Sequence, residues 1–286
     1  MTSTLERLGL APDARAVVIA CDGLGSSNAA NLAIFQALRK GVASTAGLQV
    51  PSPWARGAVS EYHGEDVGVS LTLNSEYDLY RWGPITYAPS LLDGDGGFPR
   101  TVADLWDHAD VEEVRRECRA QIERAVMWGF DVSHIDAHLG ALYGRPEFFD
   151  IYLDLALEFE LPMSLPDPSV DLGFPARELA AAEGLLLADR VVTVPLPNEA
   201  RHSIAELIRE LPAGLTELHV RPASDTPELR GITDSWAARV GDAHLVSHDM
   251  WFKTQLNKAS AQLLGYRQLR DAQRQTAAAN KTERPD

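Results

Sequence analysis

A histidine–aspartate–histidine pattern is one of three segments whose residue types and spacing suit chemistry. Ser133-His134-Ile135-Asp136-Ala137-His138 alternates polar and apolar side chains. In an extended strand every second side chain points to the same face, so His134, Asp136 and His138 share one face. Burying two imidazoles and a carboxylate costs free energy unless they bind a metal, transfer protons or satisfy one another. The pattern predicts either a catalytic or metal site or a hydrogen-bonded network at a barrel mouth.

A second candidate lies at the end of an apolar segment near the N-terminus. Ala16-Val17-Val18-Ile19-Ala20 runs into Cys21-Asp22-Gly23. Ligands of α/β proteins bind beyond the carboxyl ends of parallel strands, which is where this segment would end. Asp22 could there bind a metal, act as a base or cap the following helix. A deprotonated Cys21 could act as a nucleophile or as an acid–base group.

The third candidate, Glu217-Leu218-His219-Val220-Arg221, alternates charged and apolar residues. The same strand geometry places Glu217, His219 and Arg221 on one face. A guanidinium at that position could clamp an anion or neutralise a nearby carboxylate, and the residues alone leave both open.

Alternating strand-like and helix-like segments must position these groups. Such repeats predict a parallel sheet, either open or closed into a barrel. A dinucleotide-binding sheet is a rival, but Gly23-Leu24-Gly25 lacks the third glycine of that fingerprint. The long connection 74–100 is either a functional lid or a misassigned region. Strands are predicted at 15–21, 45–49, 67–73, 134–138, 163–165, 190–194, 215–221 and 263–266, and helices at 28–40, 54–62, 111–128, 147–159, 177–183 and 203–211.

Composition narrows the class of protein. The chain has 286 residues and a net charge of −15, which disfavours nucleic acid and anionic membranes as partners. It lacks an apolar run near the ~20 residues that span a bilayer, and its first residues do not resemble a signal peptide. Two cysteines make no disulfide framework. We therefore expect a cytoplasmic protein with one domain over residues 1–276, a disordered tail at 277–286 and a small-molecule substrate.

Several segments together resemble the YdjC-like (ChbG/HpnK) carbohydrate deacetylase family over roughly residues 17–270. The resemblance implies a distorted (β/α) TIM-like barrel with mainly parallel strands. It also implies hydrolysis of N-acetyl groups on amino sugars with a divalent, zinc-like metal, and it allows a homo-oligomer. The matching segments are Ala-Cys-Asp at 20–22, Gly-Val-Ser-Leu-Thr-Leu-Asn-Ser-Glu at 68–76, Tyr-Arg-Trp-Gly-Pro at 80–84, Ser-His-Ile-Asp-Ala-His at 133–138, Pro-Glu-Phe at 146–148, Arg-Pro-Ala at 221–223 and Leu-Gly-Tyr-Arg at 264–267.

The resemblance also implies roles for individual positions. Asp22 and His138 match two metal ligands of the family. Three positions are changed: Cys21 stands where the family has an aspartate base, Ser70 where it has a histidine ligand, and Arg221 where it has a late histidine. The candidate catalytic residues are Cys21, Asp22, His134, Asp136, His138 and Arg221, and the candidate substrate contacts are Ser70, Tyr80, Trp82 and His219.

These changes leave three hypotheses. A hydrolytic zinc site normally takes three protein ligands and a water, and a neutral serine hydroxyl is a poor third ligand. The protein is therefore a deacetylase with an unusual metal site, a metal-free enzyme of changed reaction class built on Cys21, Asp22, His138 and Arg221, or a non-catalytic binding protein. Because Arg221 against Asp22 restores charge neutrality, the guanidinium is a candidate replacement for the metal's charge.

Overall fold

A parallel sheet of seven strands forms the centre of the computed structural model, which describes residues 3–193, 200–247 and 250–282. The hydrogen-bonded path runs β4-β3-β2-β1-β6-β5, and β7 pairs with β1. Every pairing in the described ranges is parallel. The strands are β1 Arg15–Leu24, β2 Thr45–Leu48, β3 Val67–Leu71, β4 Val132–Ala137, β5 Arg190–Thr193, β6 Gly214–Val220 and β7 Ala261–Leu263.

Strand β1 organises the sheet. It pairs with β6 along most of its length, with β7 at its beginning and with β2 at its end. Its apolar side chains alternate between two cores, since Val17 and Ile19 pack into the larger cluster and Ala16 and Val18 into a smaller one. A strand buried on both faces reads as a continuous apolar run, which is how this segment appears in the sequence.

Helices separate most of the strands and cover the sheet. Local signals set their starts: Ser27 accepts a hydrogen bond from Ala30 N at the start of α2, and Asp110 caps α5 in the same way. None of the described helices is long and apolar enough to cross a membrane. The helices are α1 Thr4–Arg7, α2 Asn28–Lys40, α3 Ala55–Glu61, α4 Val102–His108, α5 Val111–Met127, α6 Pro146–Glu158, α7 Ala176–Ala182, α8 Ala200–Arg209, α9 Pro227–Ile232, α10 Trp236–Ser247, α11 Met250–Lys258 and α12 Tyr266–Thr282.

The structure differs from the predicted elements mainly towards the C-terminus. The strand predicted at 163–165 is only an isolated bridge between Ile135 and Met163. The last strand ends at Leu263, three residues before the predicted end, because α12 begins at Tyr266. Helix α12 continues through 277–282, where the sequence predicts a disordered tail, and 283–286 and Val194 lie outside the described residues. Helices α1, α4 and α9–α11 have no counterpart in the prediction.

The 74–100 connection is held to the body of the protein by buried hydrogen bonds. The Nδ2 of Asn74 donates to the carbonyls of Pro99 and Thr101, so the two ends of the loop are joined. The indole Nε1 of Trp82 donates to the Asn74 carbonyl at 3.0 Å. Fully buried Glu117 of α5 accepts from the backbone N–H groups of residues 85 and 86. These contacts give the loop a fixed shape, as expected of a compact functional loop rather than a misassigned element.

We expect Glu117→Ala to lower the free energy of unfolding by about 3 kcal/mol, because it leaves buried N–H donors without an acceptor. Urea denaturation measures the loss, and limited proteolysis should cleave first within 74–100. Glu123→Ala, at an exposed position of the same helix, is the matched control and should change stability by less than about 0.5 kcal/mol. Equal stability of the two variants would show that Glu117 does not anchor the loop.

Candidate functional site

A polar cavity of about 480 Å³ opens at the carboxyl ends of the parallel strands. Such a position is where α/β folds place their ligand sites, because the connecting loops converge there. The strand ends and the fixed loop both contribute to its wall. The ionisable and aromatic residues that line it are Asp22, Glu76, Tyr77, Asp136, His138, Tyr143, Asp167, His219, Arg221 and Arg239.

Two carboxyl groups approach each other across this edge of the sheet. Asp22 on β1 pairs in register with Gly47 on β2. The hydroxyl of Ser70 on β3 donates to Oδ1 of Asp136 at 2.5 Å. A Cβ atom at Gly47 would collide with Oδ2 of Asp136. Because glycine has no Cβ, the carboxyl of Asp136 can occupy the space beside Gly47, the residue that pairs with Asp22. Burial, reinforced by the charge of Asp22, raises the pKa of Asp136 to about 7.

On the other side of Asp22, an imidazole lies between two carboxylates. Nδ1 of His219 is 2.8 Å from Oδ1 of Asp22, and its Nε2 is 3.2 Å from Oε1 of Glu217. Burial alone would lower the pKa of His219, but the two carboxylates outweigh it and raise that pKa well above the ordinary value. Burial raises the pKa of Asp22 and the His219 charge outweighs it, so the net pKa is lowered. The three groups form an anion–cation–anion arrangement.

The floor of the cavity holds Glu217 in place. Its Oε2 accepts from the hydroxyls of Ser164 and Tyr266, each at 2.8 Å. Glu217 is 1% exposed; the two hydroxyls satisfy Oε2, whereas buried Oε1 has no hydrogen-bond partner and is compensated by the ion pair with His219 at 3.2 Å. Ser164 follows the Met163 bridge beside β4, so this contact links the β4 side of the sheet to β6.

His138 is tied to the strands and to the fixed loop. Its Nδ1 is 2.9 Å from the amide Nε2 of Gln49, and its Nε2 is 3.1 Å from Oε2 of Glu76. An amide nitrogen can only donate and a carboxylate can only accept, so Nδ1 is the acceptor and Nε2 carries the proton. Both ring nitrogens are therefore engaged.

Two arginines face the cavity. Nε of Arg221 lies 3.6 Å from Oδ2 of Asp22, and its side chain is 49% exposed. Its backbone N–H donates to Asp242 at 2.9 Å. The guanidinium of Arg239 donates to the hydroxyl of Tyr77 at 2.8 Å. The Arg221 guanidinium is therefore only weakly paired with Asp22, and about half of its side chain is exposed to solvent.

The structure brings together some of the residues named from the sequence and separates others. Asp22, Ser70, Asp136, His138, His219 and Arg221 all line the cavity. Cys21 does not, because the alternation of β1 turns its thiol to the apolar core, where burial raises its pKa well above the ordinary value. His134 is 2% exposed and stacks on Tyr266, below the cavity. Trp82 is buried inside the 74–100 loop, and the hydroxyl of Tyr80 donates to the Ser26 carbonyl.

Several cavity residues were not named as site residues from the sequence, among them Gln49, Glu76, Tyr143, Asp167 and Arg239. Glu76 is the last residue of the 68–76 segment that resembles the family, and this position could have indicated a role in the site. Gln49 follows a short strand and carries no distinctive pattern. Tyr77 and Arg239 come from a loop and a helix 162 residues apart, which only the fold brings together.

The positions implied for a metal do not fit a divalent cation. Such a site takes three protein ligands and an open position. Here His219 holds the Asp22 carboxylate, Gln49 and Glu76 hold His138, and Ser70 offers only a neutral hydroxyl. Across the described ranges, no three His, Cys, Asp or Glu side chains are arranged to hold a metal ion.

Fold and site together define an α/β barrel-like protein with a small-molecule cavity at its carboxyl-terminal strand ends. The chain belongs to the YdjC-like protein family, whose model matches residues 16–259. This confirms the family and the fold class predicted from the sequence.

Individual relatives agree with this assignment. The chain is 38% identical over 250 residues to a carbohydrate deacetylase of Thermus thermophilus, covering 85% of this chain and 90% of that one. It is 34% identical over 154 residues to a carbohydrate deacetylase of Brevibacillus brevis, covering 52% and 59%. A crystal structure from Enterococcus faecalis, named for cellobiose-phosphate cleavage, matches with a TM-score of 0.80 and 21% identity, covering 90% and 99%. The last comparison establishes the fold alone.

His134 makes stability depend on pH. Burial lowers its pKa from 6.5 to about 4, so between these values the unfolded chain binds a proton that the folded chain does not. This group's contribution is fully present above about pH 6.5 and is lost as pH falls towards 4. The free energy of unfolding of the unaltered protein should fall between about pH 7.5 and pH 5. We expect that fall to be about 2 kcal/mol smaller in His134→Phe, as measured by urea denaturation at both pH values.

His108→Gln is the control for that measurement, because His108 lies exposed on α4. It should keep the pH dependence of the unaltered protein. An unchanged pH dependence in His134→Phe would mean that folding does not lower the pKa of His134.

Proposed function

We propose that this protein removes the N-acetyl group from a small amino sugar bound in the cavity. The observation that carries the proposal is Asp22: an ionised carboxylate at the edge of a 480 Å³ cavity, in a chain of a family whose relatives are named carbohydrate deacetylases. The cavity is of the size that encloses small ligands. Its wall combines hydrogen-bonding groups with the aromatic side chains of Tyr77 and Tyr143, a mixture that suits a sugar.

Asp22 is the group that activates water. Its carboxylate accepts a proton as the water oxygen bonds to the acetyl carbon. The His219 cation keeps Asp22 ionised, and the exposed side of Arg221 is the donor available to the oxyanion that develops on the carbonyl. The C–N bond then breaks, the leaving nitrogen takes the proton, and acetate and a free amine are released.

The setting of the protein is inferred from its cysteines. Cys21 and Cys118 are both buried and unpaired, which supports a reducing compartment and hence the cytoplasm. We also propose that residues 1–276 form one domain, because β1 near the N-terminus pairs with β7 near the C-terminus.

The test is acetate release from a panel of N-acetylated mono- and disaccharides. Asp22→Asn should reduce kcat/KM by about 10²–10⁴-fold, since an amide cannot accept the proton of water. Cys21→Ala is the matched neighbour and should retain turnover, because the thiol faces the apolar core. Loss of turnover in Cys21→Ala, with Asp22→Asn active, would instead support the changed reaction class that uses a thiol.

A non-catalytic binding protein is the second candidate. The specific observation in its favour is that internal partners already engage both Asp22 and His138. Under this hypothesis, amino sugars raise the melting temperature of the unaltered protein while no acetate appears, even at high enzyme concentration.

A further inference from the structure

We infer that this chain holds no divalent cation at Asp22 and His138, because its own side chains engage the atoms that would bind one. We further infer that His219 supplies the positive charge opposite Asp22 in place of a metal.

The geometry around Asp22 supports the second part. Both ring nitrogens of His219 face carboxylate oxygens, at 2.8 Å for Asp22 and 3.2 Å for Glu217. Nδ1 hydrogen-bonds to Asp22, and an unprotonated Nε2 would turn its lone pair towards the carboxylate of Glu217 at 3.2 Å, which is repulsive, so the ring carries both protons. The pairing is built into the fold, because β1 and β6 lie side by side in the sheet and Ser164 and Tyr266 hold Glu217 from below.

His138 supports the first part. A metal-binding imidazole needs a free nitrogen lone pair, and usually donates its other N–H to a carboxylate. Here Glu76 is the carboxylate partner of Nε2, but the lone pair of Nδ1 is taken by the amide of Gln49. Metal binding would require that hydrogen bond to break.

His219 suits this role better than Arg221. The Arg221 contact with Asp22 is 3.6 Å long, and its side chain is 49% exposed, so water screens much of its charge. The His219 side chain is 15% exposed and contacts two carboxylates. We therefore assign the positive charge that balances Asp22 to His219, and not to Arg221 as the sequence suggested.

Metal content is the direct test. The unaltered protein is incubated with Zn²⁺, Mn²⁺ or Ni²⁺, desalted and measured by elemental analysis. We expect less than about 0.1 equivalent of metal, and EDTA should leave the melting temperature unchanged. About one equivalent that disappears in His138→Asn would overturn the inference. Metal that persists in His138→Asn is bound at another position, which is consistent with the absence of a cation at Asp22 and His138.

The role of His219 is tested by matched substitutions of the two cations. His219→Gln leaves Asp22 and Glu217 without a counter-charge and should lower the melting temperature by about 10 °C. Arg221→Gln should lower it by only about 2 °C, because its contact is exposed. Equal effects of the two substitutions, or a larger effect of Arg221→Gln, would refute the assignment to His219.

These outcomes do not depend on the proposed reaction. If His219→Gln does not fold, the metal content of the unaltered protein still decides the first part. For the second, a loss of about 2 °C in Arg221→Gln is the result expected when His219 balances Asp22, and a loss near 10 °C would assign that role to Arg221.

Discussion

The contact between Asp22 and His219 is the interaction on which the site depends. It joins the end of β1 to the end of β6, the two strands with the longest pairing in the sheet. Glu217 completes the arrangement from below, and its own partners extend it to the segment after β4 and to the start of α12. A charged group can be buried at such a point only when it is paired, so the three residues must be present together.

The charge on Asp22 also governs its neighbours. Asp136 lies across Gly47 from it, and burial, reinforced by the charge of Asp22, raises the pKa of Asp136 to about 7. One carboxyl is therefore held ionised by His219 while the other tends to keep its proton. Two carboxyl groups with separated pKa values in one cavity can divide the work of accepting and donating protons, which suits hydrolysis of an amide.

The 74–100 loop completes the site from the opposite side. Its buried anchors, Asn74, Trp82 and Glu117, fix its shape, and Glu76 and Tyr77 are thereby presented to the cavity. The loop thus acts as a wall with a defined position. This explains why a segment rich in glycine, proline and aromatic residues is part of the folded body: its side chains Trp82, Leu91 and Phe98 are buried in the larger hydrophobic core.

The sequence by itself determined the parallel α/β fold, the family and six of the residues that line the cavity. Repeated strand-like and helix-like segments indicate the fold, and the matching motifs indicate the family. Strand alternation assigns Asp136 and His138 to one face and His219 and Arg221 to another without knowledge of the fold. The same alternation shows that Cys21 points away from Asp22, although adjacency in the chain made them look like one unit. Only the tertiary structure decided the partners, since Gln49, Glu76 and His138 are far apart in sequence and meet because the strands and the loop converge. Depth also required the fold: His134 shares a face with Asp136 but lies one pleat lower, where it stacks on Tyr266.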